Sequence, residues 1–133
     1  MNQLQKAKID EFKAQFRGEV LRPGDAGYGE VRQIWNAMID RKPALIARCA
    51  SPEDVVQAVK FARKHNLRVS IRGGGHNIAG NAVCDAGLMI DLSAMKAVRV
   101  DAKARRATVE PGCTLGDFDA AAQAHGLATA AGH

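Results

Sequence analysis

The apolar side chains at the start of the chain recur at helical spacing. Leu4, Ile9, Phe12 and Phe16 lie near one face of a helix, with lysine and glutamate between them. Gly18 supplies a stop, because glycine disfavours the interior of a helix. The pattern predicts an amphipathic first helix whose apolar stripe docks on the rest of the protein.

A second stretch of helical spacing follows a segment rich in glycine, proline and aspartate. Residues 22–29 have the composition of a loop. The apolar side chains between Val31 and Ile39 then recur three and four positions apart and predict a helix. Tyr28 and Trp35 suit either a substrate contact or interior packing, and interior packing is favoured.

The next segment predicts a strand followed by a well-marked helix. Pro43–Cys49 is short and mostly apolar, which is typical of a buried strand. Ser51–Asp54 then provides a cap, a proline at the first helical position and negative charge in the first turn. Asn66 can adopt the left-handed conformation that ends a helix. The expected buried stripe of this helix consists of Val55, Ala58, Val59 and Ala62.

A second strand follows this helix at once. Leu67–Ile71 alternates, with Val69 and Ile71 on one face and Ser70 on the other. A strand, a capped helix and a strand in so few residues predict a βαβ unit with parallel strands and a right-handed crossover. Ligands of such sheets bind at the carboxyl ends of the strands.

The second half of the chain favours strands before a final helix. Leu88–Leu92 is apolar and predicts a strand. Ala97–Asp101 and Arg106–Glu110 alternate and predict an antiparallel hairpin. Thr114 and Asp117 have the spacing of a capping box and predict the start of a helix.

These elements predict an α/β (α+β) fold, with a βαβ subdomain followed by the start of a mixed or antiparallel sheet. The expected divisions are a helical lead-in over 1–42, the βαβ subdomain over 43–93, and the start of a second subdomain over 94–133. At 133 residues the chain is long enough for one domain core.

Composition narrows the possible functions. The net charge of +5 permits an anionic partner, but the basic residues are scattered and the few aromatics do not alternate with them, so we expect no nucleic-acid partner. No apolar run approaches a membrane span and the N-terminus lacks a secretory pattern, so a cytoplasmic location is expected. The three cysteines form no close pair, and no metal-ligand spacing occurs, which disfavours a disulfide framework and a metal site.

The candidate chemistry lies directly after the second predicted strand, in Arg72-Gly73-Gly74-Gly75-His76-Asn77. Glycine backbones can approach a ligand closely and adopt positive φ, and successive N–H groups in such a turn form an anion site. Arg72 adds a fixed positive charge, so a pyrophosphate fits this loop. A plain tight turn with a surface histidine is the alternative.

Two familiar phosphate loops are excluded. A P-loop would require Gly-Lys-Ser/Thr where His76-Asn77 stands, and a G-x-G-x-x-G fingerprint would require glycine at Ile78. The segment that follows has loop chemistry and opens no helix.

The loop is followed by the segment Asn81-Ala82-Val83-Cys84-Asp85-Ala86-Gly87-Leu88-Met89-Ile90-Asp91-Leu92-Ser93. Together they resemble the FAD-binding domain of the p-cresol methylhydroxylase/vanillyl-alcohol oxidase superfamily. Within it, the chain is most similar to the berberine-bridge-enzyme-like FAD-linked oxidases. The likeness continues through Ser51–Val55 and Ala58–Arg63 and covers roughly Arg22 to Gly132, the first part of a family member.

The resemblance implies FAD as cofactor, carried covalently by His76 through the flavin 8α-methyl group. It implies that Arg72, Gly73, Gly74, Gly75 and His76 hold the pyrophosphate. Asn77, Gly80 and Asn81 are further candidates for the same pocket. The implied reaction is hydride transfer from an alcohol, hemiacetal or benzylic/amine C–H of a small-molecule substrate to the flavin, with O₂ as re-oxidant. Substrate and base residues, and the cysteine that some members link to the flavin, would lie beyond His133.

Other functions stay open on the residues alone. A truncated, non-catalytic module that binds a nucleotide or anion, or docks on a partner, would expose strand edges and could form a homo-oligomer. Cys113 precedes a predicted helix, where a thiol can become reactive, but a packed small residue is favoured. His65 and His125 lie near predicted helix ends, where a charged imidazole favours the helix dipole.

Overall fold

The computed structural model describes residues 6–34, 36–76 and 80–130. The elements, in chain order, are α1 (Lys6–Gln15), β1 (Glu19–Leu21), α2 (Tyr28–Val31), β2 (Leu45–Arg48), α3 (Pro52–Lys64), β3 (Val69–Arg72), β4 (Leu88–Asp91), β5 (Val98–Asp101), β6 (Arg106–Val109) and α4 (Leu115–Gln123).

A mixed four-stranded sheet in the order β1-β2-β4-β3 forms the centre of the fold. Both β2 and β3 pair with β4 in parallel, which confirms the parallel strands of the predicted unit. The two strands are not neighbours, because β4 lies between them. The antiparallel edge strand β1 was not predicted, since its three residues are too few to show a period.

Helix α3 follows the predicted signals closely. Ser51 accepts a hydrogen bond from the Asp54 backbone N–H at 3.5 Å, and Asn66 has φ +52° just beyond the helix. The predicted stripe is correct at Ala58 and Ala62 but wrong at Val59, which is 48% exposed. Phe61 is buried instead, because α1 packs against that side of the helix.

The core has two parts, one on each face of the sheet. On one face Leu45, Ala47 and Ile90 pack under α1 and α3. The predicted apolar stripe of the first helix is confirmed there at Ile9 and Phe12, and Phe16 packs in the same cluster just beyond α1, whereas Leu4 lies outside the described residues. Phe12 stacks on Phe61 at 4.4 Å between ring centroids. The other face carries a second cluster, which consists of Leu21, Tyr28, Ile34, Ile46, Ala82, Val83 and Met89.

The helix predicted between Val31 and Ile39 is wrong. Helix α2 begins earlier, at Tyr28, and ends at Val31, so it overlaps the end of the segment expected as loop. Beyond it the Asn36 side chain accepts a hydrogen bond from Met38 N at 3.2 Å, and Asn36 O accepts one from Ile39 N at 3.0 Å. Local bonding of this kind competes with a helix. Met38 is consequently 91% exposed.

Tyr28 and Trp35 are the two aromatic residues of this region. Tyr28 packs in the interior as predicted, with its hydroxyl donating to Pro43 O at 2.6 Å. Trp35 lies outside the described residues.

The remaining elements form a small separate layer. Strands β5 and β6 pair as the predicted antiparallel hairpin, and α4 packs against β5. The predicted capping box is present, with Asp117 N donating to Thr114 Oγ1 at 3.1 Å and Thr114 N donating to Asp117 Oδ2 at 2.8 Å. All four residues of β6 are exposed. None of the described helices has the length and apolar character needed to cross a bilayer. The predicted division into three segments stays a prediction.

Candidate functional site

The glycine loop begins where β3 ends, at the carboxyl edge of the central sheet. Arg72 is the last residue of β3, and Leu92 N, one residue beyond β4, donates to Arg72 O at 2.8 Å. Gly73 through His76 leave the sheet from this point, and Gly75 adopts φ +75°. Asn77 lies outside the described residues. The fold therefore places the loop where parallel sheets bind ligands.

The loop is packed so tightly that side chains larger than hydrogen would collide at several positions. A Cβ on Gly73 would lie 2.8 Å from Pro111 O, and one on Gly75 would lie 3.0 Å from Arg72 Nε. A Cβ on Gly74 would lie 2.8 Å from the imidazole of His76. Glycine is thus required at Gly73, where the neighbour is backbone, and is favoured at Gly75 by its positive φ. At Gly74 the neighbour is the exposed His76 ring, which can move aside.

The Arg72 side chain lies beneath this loop, with 20% of its area exposed. Its Nη1 lies 3.8 Å from Asp91 Oδ1. Its Nε is buried and has no hydrogen-bond acceptor among the residues that the structure describes. A buried donor of this kind marks a place where an acceptor is expected.

The His76 side chain is exposed and opens onto a cavity of about 800 Å³. Gly74 lines the same cavity from the loop side, and Thr114–Gly116, at the start of α4, line the opposite side. The cavity is bounded further by residues from the hairpin, the turn after it, α4 and the segment beyond α4, namely Val109, Gly112, Cys113, Phe118 and Thr129. The structure thus joins two of the predicted site residues in one cavity.

Cys113 also lines this cavity, but it has the properties of a packed thiol. Burial raises its pKa, and the neighbouring Asp117 carboxylate raises it further. Its Sγ lies 3.6 Å from Ala97 O. A raised pKa opposes the thiolate form, so the structure favours the packed interpretation.

The other two candidates are placed differently. Gly80 is buried with φ +80°, and its carbonyl accepts a hydrogen bond from Arg41 Nη1 at 2.8 Å. Asn81 is exposed and lines a separate cavity of about 550 Å³ together with Arg41, Arg68 and Ser70. A cofactor contact at Gly80 or Asn81 stays a prediction.

The two histidines near helix ends contribute nothing to this site. His65 caps the end of α3, and its ring contacts Phe61 edge-on at 4.5 Å between centroids. Burial lowers the pKa of His65, and the charges of Lys8 and Lys64 lower it further. The neutral ring is therefore favoured, contrary to the expected charge–dipole role. His125 is exposed just beyond α4.

Sequence reasoning missed one residue beside the loop, Asp91. Its carboxylate is 1% exposed and accepts hydrogen bonds from Ser93 N at 3.1 Å and from Ser93 Oγ at 3.0 Å. It also pairs with Arg48, whose Nε lies 3.2 Å from Asp91 Oδ2. A charged residue at the end of an apolar strand was the available signal.

Comparison with known proteins identifies relatives that match most of the chain. Residues 43–132 match the model of a family described as FAD binding domain. The chain is 38% identical over 116 residues to (R)-6-hydroxynicotine oxidase of Paenarthrobacter nicotinovorans, covering 87% of this chain and 25% of that protein.

Solved structures agree with the sequence match. The crystal structure of 6-hydroxy-D-nicotine oxidase from Arthrobacter nicotinovorans superposes with a TM-score of 0.80 at 37% identity, over 84% of this chain and 24% of that one. The carbohydrate oxidase of Microdochium nivale gives a TM-score of 0.76 at 31% identity, over 86% and 24%. The chain thus spans about a quarter of the length of these relatives.

The match over 43–132, the shared fold and the loop at the carboxyl edge of the sheet agree with the resemblance noted in the sequence, and the chain belongs to the FAD binding domain family of FAD-linked oxidoreductases.

Proposed function

We propose that this chain forms the diphosphate-binding part of an FAD-linked oxidoreductase whose flavin is attached to His76. The observation that carries the proposal is the exposed imidazole of His76 in a cavity of about 800 Å³ that it shares with the glycine loop. An imidazole that opens onto a cavity can reach a bound ligand, whereas a packed one cannot.

The residues of the loop fit the cofactor's diphosphate. Side chains at Gly73 and Gly75 would collide with Pro111 and Arg72, so this backbone stays bare. The Arg72 guanidinium contributes positive charge, and its buried Nε lacks an acceptor among the described residues. Both features suit an anion held by backbone N–H groups and one cation.

The start of α4, across the cavity, is less suited to the diphosphate. The Asp117 carboxylate already accepts the Thr114 N–H there, so negative charge occupies the positive end of the helix dipole. A diphosphate near Asp117 would meet like charge, whereas near Arg72 it would meet opposite charge. The anion is therefore assigned to the loop, and the wall formed by α4 is left to less charged parts of the cofactor.

Bound FAD supplies a flavin N5 that accepts a hydride from the substrate. A bond from an imidazole nitrogen of His76 to the flavin 8α carbon would prevent loss of the cofactor. Its formation would break one C–H bond of the 8α-methyl group and the imidazole N–H bond, and the two electrons gained by the flavin would pass to O₂. Relatives include a hydroxynicotine oxidase and a carbohydrate oxidase, so the proposed substrates are small molecules with an amine, alcohol or hemiacetal C–H. Oxidases of this kind imply O₂ as re-oxidant. A cytoplasmic location, no nucleic-acid partner and self-association remain expectations.

The test is a visible spectrum of the purified protein, produced with FAD, before and after acid denaturation and washing. Flavin absorbance that stays with the denatured chain, and that becomes washable in His76→Ala, supports the attachment. His125→Ala, which alters an exposed histidine, is the matched control and should keep the absorbance. Colour that washes away from the unaltered protein would contradict the bond to His76, and a colourless protein would contradict retention of FAD.

A colourless protein that nevertheless binds ADP would favour the nucleotide-binding module instead.

A further inference from the structure

A row of alternating charges crosses the entire central sheet at its carboxyl edge. Glu19 in β1 is the register partner of Arg48 in β2. Arg48 is the partner of Asp91 in β4, and Asp91 is the partner of Arg72 in β3. Paired residues on neighbouring strands point to the same face. The four side chains thus form one line, acid-base-acid-base, that ends at the first residue of the glycine loop.

The contacts in this row connect its members in sequence. Arg48 Nη1 lies 3.2 Å from Glu19 Oε1, and Arg48 Nε lies 3.2 Å from Asp91 Oδ2. Asp91 Oδ1 lies 3.8 Å from Arg72 Nη1. One end of the row is exposed at Glu19, and the Asp91 carboxylate is almost fully buried. Because solvent screens exposed pairs, the energetic weight lies at the Asp91 end.

The Asp91 carboxylate has partners on three sides. Arg48, Arg72 and Ser93 approach it from β2, from β3 and from the turn after β4. Arg72 differs from Arg48, because among the described residues Arg72 forms its ion pair with Asp91. With a neutral residue at position 91, Arg48 would keep Glu19 as a partner, whereas the Arg72 guanidinium would be released.

That guanidinium lies against the turn of the glycine loop. A Cβ on Gly75 would lie 3.0 Å from Arg72 Nε and 3.6 Å from Arg72 Nη2. The carboxylate of Asp91 holds the opposite part of the same group. Arg72 is therefore clamped between the buried end of the charge row and the loop backbone, and its Nε–H is left for an acceptor on the loop side.

We propose that Asp91 is a positioning residue for the cofactor's diphosphate, which acts by holding the Arg72 guanidinium under Gly75 from the buried end of this charge row. The inference rests on the proposed function, because the diphosphate is assigned to the loop there. Asp91 itself does not contact the cofactor in this proposal. Its effect on binding passes through Arg72.

A double-mutant cycle tests this path. The dissociation constant for free FAD is measured in the His76→Ala background, where no covalent bond holds the cofactor. Asp91→Asn should weaken binding by about tenfold or more, because it removes the opposite charge 3.8 Å from Arg72 Nη1. Arg72→Gln should weaken it by a similar factor, because it removes the cation itself. The double variant should be no weaker than Arg72→Gln, because Asp91 acts only through Arg72.

The matched control is Glu53→Gln, which also removes one negative charge but lies outside the charge row and is exposed. It should leave the FAD dissociation constant unchanged. If Asp91→Asn weakens binding by the same factor with and without Arg72, Asp91 acts independently and the proposal is overturned. Unchanged affinity in Asp91→Asn overturns it as well.

A second measurement does not depend on FAD. The Arg72 Nε–H signal in a proton–nitrogen NMR spectrum, identified by its loss in Arg72→Lys, should exchange with water about tenfold faster or more in Asp91→Asn, as expected when a charged partner is removed. Equal exchange rates would contradict the clamp. If no FAD binding is measurable, the proposed function fails while this comparison still decides whether Asp91 holds Arg72.

If Asp91→Asn does not fold, Arg48→Gln at the partly exposed position of the row replaces it. Because Arg48 and Arg72 share one carboxylate, this variant should shift the Arg72 Nε–H signal. An unmoved signal would overturn the proposal.

Discussion

Asp54 is a second buried carboxylate, and it joins three parts of the fold. It is 1% exposed and accepts hydrogen bonds from Arg17 N, Gly18 N and Ala50 N, each at 2.9 Å. Arg17 and Gly18 belong to the link between α1 and β1, Ala50 follows β2, and Asp54 itself lies in the first turn of α3. A neutral side chain at position 54 should therefore loosen the lead-in from the sheet.

The cost of Asp54→Asn follows from these contacts. Oδ2 accepts two of the three bonds and Oδ1 accepts one, so an asparagine that keeps its oxygen at the Oδ2 position turns its amide toward Arg17 N. One donor is then unpaired, and the other two bonds lose their charge assistance. Charge-assisted bonds contribute about 1.5–3 kcal/mol each and neutral bonds about half of that. The loss of one whole bond and of half of two others therefore predicts a decrease of about 3–6 kcal/mol in the free energy of unfolding.

Urea-induced unfolding followed by circular dichroism measures this loss, as a lower midpoint at an unchanged slope. Glu53→Gln is the control at the adjacent position, because its side chain is 77% exposed and its ion pair with Arg17 spans 3.9 Å. The control should stay within about 0.5 kcal/mol of the unaltered protein. If Asp54→Asn is as stable as Glu53→Gln, the three backbone bonds do not contribute as the structure indicates.

Three further predictions concern glycine packing, a buried thiol and a helix cap. Gly112→Ala should destabilise the protein by about 3 kcal/mol, because the added Cβ would lie 2.1 Å from Leu92 O. Gly116→Ala, whose Cβ would lie 3.6 Å from the nearest atom, should stabilise it by about 0.5 kcal/mol. Equal urea midpoints for the two variants would contradict this. Burial raises the pKa of Cys49 from 9.0 to about 12, and two nearby carboxylates add to it. The folded state therefore retains the thiol proton to higher pH, so the contribution of this thiol to stability is complete below pH 9.0 and is lost as the pH rises toward about 12. Cys49→Ala should flatten the fall in the free energy of unfolding between about pH 9 and 11. An unchanged fall would refute the assignment. Thr114→Ala removes a capping bond at 3.1 Å and should cost about 1 kcal/mol, measured by thermal unfolding, and no loss would show that the cap is dispensable.

Most elements of the fold could be predicted from signals between neighbouring residues in the sequence. The start of α3 was predictable because its cap, proline and acidic first turn act on neighbouring residues, and the same holds for the capping box of α4. Prediction was wrong where the competing interaction was also local but was overlooked, as in the Asn36 turn that replaces the expected helix. Burial of Phe61 rather than Val59 depended on where α1 docks, which no local pattern specifies.

The glycine loop was found because its chemistry is contained in six consecutive residues, whereas the charge row was missed because its members lie on four separate strands. The order of those strands is nonetheless reflected in how deeply each strand is buried. All four residues of β4 are buried, which is typical of a central strand covered on both faces, and β3 alternates between exposed Val69 and Ile71 and buried Ser70, as an edge strand can. With β4 placed between β2 and β3 on that ground, Asp91 becomes the neighbour of both arginines that end those strands. A carboxylate that ends the most buried strand requires partners, and the two arginines supply them. That requirement links the packing of the sheet to the position of Arg72, and through Arg72 to the loop to which we assign the cofactor's diphosphate.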